Sequence, residues 1–166
     1  MKPMRYIFLF VTLLTFTAFG QSKEYRSMLK NYYSADFPTI SIADAKAKIG
    51  KPNVYFLDTR EKEEFDVSHI KTAMQVGYDN FDISSVSKLP KDAEIIVYCS
   101  IGARSQTIGQ KLIKAGYTNV KNLYGGLFHW ANNSYPMRDP SGEKTTKIHG
   151  FSADWGKWVY RGTVVY

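Results

Sequence analysis

The sequence predicts an α/β domain with a largely parallel sheet and helices packed on both of its faces. Segments typical of strands alternate with segments typical of helices over most of the chain. Two strand segments, 53–58 (NVYFLD) and 94–99 (EIIVYC), are largely apolar, as expected for strands that are covered on both faces. Further along, Ile108, Leu112 and Ala115 fall on one face of a predicted helix. Strands and helices that alternate in this way form parallel sheets, because each helix crosses over to the next strand.

The remaining elements each depend on a local signal. Ser41 or Asp44 is a candidate cap for a helix that Gly50 ends, and Gly116 ends the longest predicted helix. Residues 79–90 are predicted to be irregular. In chain order, the predicted elements are a helix near 24–33, a strand at 39–42, a helix at 43–49, the strand at 53–58, a short helix after 61, a strand at 73–76, the strand at 94–99, a helix at 105–115, a strand at 119–123, a helix at 127–132 and a strand at 163–166.

Length and composition exclude several classes of protein. The chain has 166 residues, which is enough for one ordinary domain. Its 44% of hydrophobic and 22% of charged residues exclude a disordered tail, a coiled coil and a collagen-like rod. Cys99 is the single cysteine, which excludes an internal disulfide and a zinc site built from cysteines. The net charge is +7, but the lysines are dispersed and not interleaved with aromatic side chains, so we expect no nucleic-acid partner.

The N-terminus has the layout of a secretory signal peptide, which we assign to residues 1–20. Lys2 and Arg5 precede an apolar run without charges, and small residues lie near the end of that run. The run is shorter than the roughly 20 apolar residues that span a membrane. An uncleaved anchor and a buried N-terminal helix are the alternatives. We expect cleavage after Gly20, a periplasmic or secreted protein without stable membrane insertion, and a polar lead-in at 21–38.

The loop that follows the strand at 94–99 carries the candidate chemistry. A helix predicted to begin near Arg104 or Ser105 directs its unpaired N–H groups and positive dipole end toward the Cys99 sulfur. Gly102 lets the backbone curl so that successive amides face inward as an anion-binding nest. Arg104 either adds a positive charge beside the sulfur or braces the loop. These effects favour the thiolate, which is the nucleophilic form. The loop residues between the cysteine and the arginine are Ser100, Ile101, Gly102 and Ala103.

The length of this loop distinguishes between kinds of cysteine chemistry. A loop that holds a tetrahedral phosphate needs a longer run between cysteine and arginine than the four residues that intervene here. The tighter loop suits a single additional sulfur atom on Cys99, which is a persulfide. A cysteine-dependent phosphatase is therefore a less favoured alternative. An unreactive cysteine buried in the core is the other alternative.

Three motifs in order resemble the rhodanese homology domain in its single-domain sulfurtransferase form. They are the loop at 99–104, the upstream segment 57–73 (LDTREKEEFDVSHIKTA) and the closing segment 115–130 (AGYTNVKNLYGGLFHW). The resemblance implies a rhodanese-like domain over 39–137, with a five-stranded, mostly parallel sheet and a Cys99 that cycles through a persulfide. It also implies a small sulfur donor, thiosulfate or a persulfide, and a thiol, cyanide or protein as the acceptor.

The sequence departs from the family pattern next to the cysteine. Many members that use thiosulfate have a basic residue directly after the cysteine, where this chain has Ser100. Ser68 and Thr72 stand where the family has glycines around the histidine of the upstream segment. Because the charge at position 100 is lost, we expect thiosulfate to be a poorer donor than a polysulfide or a persulfide. The loop length and Arg104 are kept, so sulfur transfer is still the expected chemistry.

The upstream segment supplies residues that the resemblance places behind the loop. Asp58 and Arg60 are expected to support it, with Asp58 bonded to Arg60 or to loop amides; a weak surface ion pair is the alternative. Glu64 is expected to be structural. His69 is either a general acid–base or, as we favour, an anchor for the segment before the next strand. Because the histidines lack ligand spacing, we expect no metal site, and we expect no cofactor.

The C-terminal extension, residues 138–166, is first polar and turn-rich and then aromatic. We expect Ile148, Phe151, Trp155 and Trp158 to pack on the domain, because together they would otherwise form a large exposed apolar patch. Two functional hypotheses follow. The first is an exported sulfurtransferase, and the alternative is a catalytically weak rhodanese-like module that binds a partner through its aromatic tail.

Overall fold

The computed structural model describes residues 22–166, so the predicted signal peptide at 1–20 lies outside the described residues. The main sheet consists of β1 (Thr39–Ile40), β2 (Val54–Asp58), β3 (Met74–Gln75), β4 (Glu94–Tyr98) and β5 (Asn119–Leu123). Its five strands are all parallel and lie in the order β1-β5-β4-β2-β3. The predicted α/β fold with a five-stranded parallel sheet is thereby confirmed.

Two neighbouring strands at the centre of the sheet, β2 and β4, place the candidate site. They run side by side, with Asp58 opposite Tyr98 at their carboxyl ends. Residues 95–98 of β4 are fully buried, which agrees with the prediction that this strand is covered on both faces. Because the strands are parallel, their carboxyl ends lie at one edge of the sheet, the edge at which such folds bind ligands. Cys99 follows β4 directly at this edge.

Five helices begin close to the predicted positions, and a sixth, in the C-terminal extension, was not predicted. They are α1 (Lys23–Leu29), α2 (Ile42–Lys48), α3 (Lys62–Val67), α4 (Ala103–Lys114), α5 (Gly126–Asn132) and α6 (Ala153–Gly156). Ser41 caps α2, since its Oγ accepts the N–H of Asp44 at 3.1 Å. The stretch predicted to be irregular contains one short 3₁₀ helix, Ile83–Val86. No helix within residues 22–166 is long and apolar enough to cross a membrane.

Two hydrophobic cores lie on opposite faces of the sheet, because side chains alternate along β4. Ile95 and Val97 face one core, in which Ile108 and Leu112 of α4 are fully buried, as the helical periodicity predicts. Ile96 lies in the other core together with residues of α1, α5 and the C-terminal extension. The second core therefore ties both ends of the described chain to the sheet.

The C-terminal extension forms small elements around the second core. Its strands are β6 (Met137–Arg138), β7 (Lys144–Thr145), β8 (Lys147–His149) and β9 (Thr163–Val165). β6 pairs antiparallel with β7, and β8 pairs parallel with β9. Ile148 is fully buried, and Trp155 and Trp158 pack against the same core. Phe151 differs from the expectation, because 53% of it is exposed and its ring lies over a charged side chain of the main domain.

Candidate functional site

Cys99 lies at the carboxyl end of β4, beneath the first turn of α4. Its side chain is almost completely buried, with 1% of the residue exposed. The backbone N–H of Gly102 donates a hydrogen bond to the Cys99 Sγ at 3.1 Å. Helix α4 begins at Ala103, slightly earlier than predicted, and its N-terminal end is directed at the loop. The loop amide and the helix end both stabilise negative charge on the sulfur.

The loop backbone is held in its curled form by contacts from outside it. Gly102 has φ +105°, and a Cβ there would lie 1.7 Å from the Oη of Tyr33, so only glycine fits. The Tyr33 hydroxyl donates to the carbonyl of Ile101 at 2.7 Å and accepts the N–H of Gly125 at 2.8 Å. Asn122 donates from its Nδ2 to the carbonyl of Gly102 at 2.8 Å. The loop is therefore fixed by Tyr33, which follows α1, and by Asn122 of β5.

The start of α5 closes the other side of the loop. The N–H groups of Leu127 and Phe128 donate to the carbonyls of Cys99 and Ser100, at 2.8 Å and 2.9 Å respectively. Gly126 brings the two backbones together, because a Cβ there would lie 2.4 Å from the Cys99 carbonyl oxygen. This close approach explains the glycine pair in the closing segment. The carbonyls of Cys99 and Ser100 are therefore hydrogen-bonded to α5 and not to the sulfur.

Arg104 braces the loop through Glu64, and it also interacts electrostatically with Cys99, so the two roles considered from the sequence do not exclude each other. Its Nη1 and Nη2 donate to the two carboxylate oxygens of Glu64 at 2.7 Å and 2.8 Å. Ser100 donates from its Oγ to the same carboxylate at 3.1 Å. Burial acts to raise the pKa of Glu64, but the paired Arg104 guanidinium, together with the Arg60 charge and the Glu61 N–H, outweighs it, and the pKa lies below its ordinary value. Glu64 therefore contacts the loop of the site directly, in addition to the structural role expected for it.

Asp58 and Arg60 form a fully buried ion pair behind the site rather than a surface pair. The Nε and Nη2 of Arg60 donate to the two carboxylate oxygens of Asp58 at 2.9 Å and 2.6 Å. Arg60 also donates to the carbonyls of Glu64 and Ser68 at 3.2 Å and 2.6 Å. Burial acts to lower the pKa of Arg60, but Asp58 more than offsets it, and the net shift is upward. The pair therefore fixes the segment that carries Glu64.

His69 is placed differently from the other predicted supporting residues. Its ring stacks on Phe65 with centroids 4.0 Å apart, and its Nδ1 lies 3.2 Å from the Phe65 carbonyl oxygen. Its backbone exchanges two hydrogen bonds with Arg138, and its side chain lines a separate cavity beside Lys71 and Thr72. These contacts do not involve the loop at residues 99–104. An anchoring role fits this position better than a general acid–base role.

Cys99 and its loop line a small cavity. Its volume is about 140 Å³, and its lining consists of Tyr32, Cys99, Ser100, Ile101, Ala103, Arg104, Phe151 and Trp155. The rings of Tyr32 and Trp155 meet edge to face, with centroids 5.5 Å apart. The ring of Phe151 lies 5.1 Å from the Arg104 Cζ. No local pattern indicates these contacts, because the aromatic residues come from opposite ends of the described chain.

No metal site is found in the part of the chain that the structure describes. Among residues 22–166, no three His, Cys, Asp or Glu side chains are close enough to hold a metal ion.

His129 is the one described residue with a buried side-chain nitrogen, Nδ1, that lacks a hydrogen-bond partner. Burial lowers the pKa of His129 to about 4, so this ring is neutral at physiological pH.

Comparison with known proteins agrees with this geometry. A family model of the rhodanese-like domain matches residues 41–133. A sulfurtransferase of Allochromatium vinosum is 34% identical over 90 residues, which cover 54% of this chain and 83% of that protein. A chloroplastic thiosulfate sulfurtransferase of Arabidopsis thaliana is 37% identical over 94 residues, which cover 50% and 78%. The solution structure of a rhodanese-like domain from Anabaena sp. superposes with a TM-score of 0.56 at 26% identity, covering 61% of this chain and 79% of that one. These relatives support a sulfurtransferase function, and the chain belongs to the rhodanese-like domain family.

Proposed function

We propose that the protein is an exported sulfurtransferase that carries sulfane sulfur as a persulfide on Cys99. The observation that carries this proposal is the position of the Cys99 sulfur. It lines the cavity and accepts the Gly102 N–H at 3.1 Å at the N-terminal end of α4. A thiolate and a terminal persulfide sulfur are both anions, and this environment stabilises both. Thiosulfate and persulfides are the proposed donors, and thiols, cyanide or a protein thiol are the proposed acceptors.

The first half-reaction loads Cys99. The thiolate attacks the sulfane sulfur of the donor, and a sulfur–sulfur bond forms as the donor's own sulfur–sulfur bond breaks. With thiosulfate the departing group is sulfite, which leaves with the electron pair of the broken bond. The enzyme then holds Cys99–S–S⁻, and its terminal charge is available to the loop amides. Neither half of this exchange needs an external oxidant or reductant.

The second half-reaction returns the cysteine to the thiolate. An acceptor nucleophile attacks the terminal sulfur and takes it, so that cyanide becomes thiocyanate and a thiolate becomes a persulfide. Cys99 is the only cysteine of the sequence, so no internal thiol can attack the persulfide and release its sulfur. The acceptor must therefore enter through the cavity above the loop, which predicts ping-pong kinetics.

The residues around the loop have positioning roles in this proposal. Glu64 binds both Ser100 and Arg104, so the loop keeps one conformation through both half-reactions. The buried pair of Asp58 and Arg60 holds the segment that carries Glu64. A rigid loop keeps the Gly102 N–H aimed at the sulfur, so no reorganisation is needed during transfer.

Kinetic assays test the sulfurtransferase proposal. Cyanolysis with thiosulfate, polysulfide or persulfide donors should produce thiocyanate with ping-pong kinetics, and phosphate esters should not be hydrolysed. Cys99→Ser should abolish turnover and leave the fold intact, because serine is nearly isosteric with cysteine. If no donor supports turnover, the partner-binding hypothesis replaces the enzyme. Hydrolysis of phosphate esters would instead support the phosphatase alternative.

Export is a separate part of the proposal and has its own test. It is supported by the basic and then apolar composition of residues 1–20. We expect the mature protein to begin at Gln21 in the periplasmic or extracellular fraction. N-terminal mass analysis of that fraction measures this directly, and a protein that retains Met1 there would contradict cleavage.

A further inference from the structure

Three aromatic side chains that we call the aromatic cap, Tyr32, Phe151 and Trp155, line the partly open cavity above Cys99. All three lie outside the rhodanese-like match at residues 41–133. The cap therefore belongs to this chain's own extensions. Because Cys99 lines this cavity, a reactant that approaches its sulfur from there contacts these rings.

The cap is held in place by contacts on both of its sides. Tyr32 and Trp155 pack edge to face, with centroids 5.5 Å apart and planes at 69°. Phe151 has φ +64°, a backbone conformation that is unfavourable for an aromatic residue, and its N–H donates to the His149 Nδ1 at 3.0 Å. Its ring lies over the Arg104 guanidinium at 5.1 Å. A strained backbone that is fixed in this way is typical of a ligand-contacting position.

The charge at the cavity disfavours an anionic donor. Among the described residues that line it, Arg104 is the only charged one, and it is bound by both oxygens of Glu64. That pair is neutral overall, so the lining offers no unpaired cation that could bind a second negative charge beside the Cys99 thiolate. Thiosulfate carries two negative charges, whereas an organic persulfide carries at most one. Coulombic repulsion in a mostly apolar lining therefore opposes thiosulfate more strongly.

The size of the cavity indicates which organic group it can surround. Its volume of about 140 Å³ is close to that of a roughly 150 Å³ apolar protein cavity that binds benzene. Aromatic side chains also bind aromatic groups favourably in edge-to-face or offset geometry. A benzene-sized apolar group therefore fits in both volume and chemistry, whereas a large polar group would extend out of the cavity and would not contact its apolar lining.

We propose that the aromatic cap makes the site selective for persulfides whose organic group is apolar and at most about the size of a benzene ring. The inference rests on the proposed sulfurtransferase function and deepens it. The Cys99 thiolate attacks the terminal sulfur of R–S–SH, and the donor's sulfur–sulfur bond breaks with its electron pair on RS⁻. That thiolate takes the proton of the donor's terminal S–H and leaves as RSH. Cys99–S–S⁻ remains, so atoms, charge and electrons balance.

The test measures how fast intact protein gains one sulfur atom from benzyl persulfide, glutathione persulfide and thiosulfate. Trp155→Ala opens the cap, and Phe151→Gly removes a ring at a φ that glycine adopts freely, so this variant is expected to fold. Ile113→Ala is the matched control, because Ile113 is a 44% exposed hydrophobic residue near the far end of α4. Benzyl methyl sulfide, which has no transferable sulfur, serves as a competitor.

In the wild-type protein, benzyl persulfide should load faster than glutathione persulfide, and benzyl methyl sulfide should slow that loading. Both cap variants should lower the benzyl-to-thiosulfate rate ratio by about tenfold, as expected when a well-filled apolar pocket loses its contacts. Ile113→Ala should leave the ratio unchanged. An unchanged ratio in the cap variants, or equal acceleration of every donor, would overturn the selectivity while sulfur loading itself persists. Loss of loading from every donor in the wild type would instead remove the proposed function, and this inference with it.

Discussion

Replacing Glu64 by glutamine should loosen the active loop without changing the size of the side chain. The carboxylate of Glu64 accepts four donors, two from Arg104, one from the Ser100 hydroxyl and one from the Glu61 N–H at 3.2 Å. A glutamine amide offers one oxygen to these donors and turns an NH₂ group toward the rest. Arg104, whose side chain is 19% exposed, is then left partly buried without its countercharge.

The loss of stability in Glu64→Gln follows from the burial of the Glu64–Arg104 ion pair. Glu64 is 4% exposed in its side chain, and breaking a buried ion pair by removing one partner costs about 3 kcal/mol. For a protein of this size, each kcal/mol lowers the melting temperature by about 3 °C, so Glu64→Gln should melt about 9 °C lower. Sulfur loading should also slow, because the loop amides are less firmly aimed at the sulfur.

Urea unfolding at neutral pH measures this difference. The matched control is Asp66→Asn on the same helix, which removes the exposed i,i+4 ion pair with Lys62. That pair has side chains 73% and 43% exposed, so its loss should cost less than about 0.5 kcal/mol. If Glu64→Gln is as stable as Asp66→Asn, the proposed brace does not exist.

The pH dependence provides a second check on the same residue. The pKa of Glu64 lies below its ordinary value of 4.5 in the folded protein, through the balance of burial and Arg104 described above. Its stabilising contribution is therefore complete above the unfolded-state pKa and is lost as the pH falls through the lower folded-state pKa. The stability difference between the wild type and Glu64→Gln should shrink as the pH falls below about 4.5. A difference that stays constant to lower pH would contradict the assigned pKa direction.

Three further substitutions address how the loop is held. Tyr33→Phe leaves the Gly125 N–H without its acceptor and should cost about 1–3 kcal/mol in urea unfolding; an unchanged midpoint would show that water replaces the hydroxyl. Gly126→Ala should yield little folded protein, because its Cβ meets a loop carbonyl oxygen at 2.4 Å, whereas Gly142→Ala, also at positive φ but with nothing within 4 Å, should fold. Equal yields of the two variants would refute the close approach. His69→Gln should leave sulfur loading unchanged, and a large loss of loading with an intact fold would restore the acid–base role.

Much of the fold could be predicted because its signals are local. The apolar runs that became β2 and β4, and the face of Ile108 and Leu112 on α4, follow directly from periodicity. The candidate loop was also recognisable, since a strand, a cysteine, a glycine and a helix start follow one another within a few residues. Gly102 has the positive φ that a curled loop requires.

The contacts that complete the site could not be predicted in the same way. Glu64 meets Arg104 although 40 positions separate them, and no periodicity in the sequence indicates which helix will dock on the loop. Tyr32 and Trp155 meet only because both ends of the described chain pack on the second core. Phe151 was expected to pack on the domain, but it stays 53% exposed, with its ring over Arg104. Tertiary packing, rather than local propensity, decides each of these positions.

The mass of the intact protein after exposure to a sulfur donor decides whether Cys99 is a sulfur carrier. Wild-type protein incubated with excess persulfide should gain the mass of one sulfur atom, and cyanide should remove it with release of thiocyanate. Cys99→Ser should gain nothing under the same conditions while retaining the wild-type fold. If the wild type gains no sulfur from any donor, or if Cys99→Ser gains as much as the wild type, Cys99 does not carry sulfur.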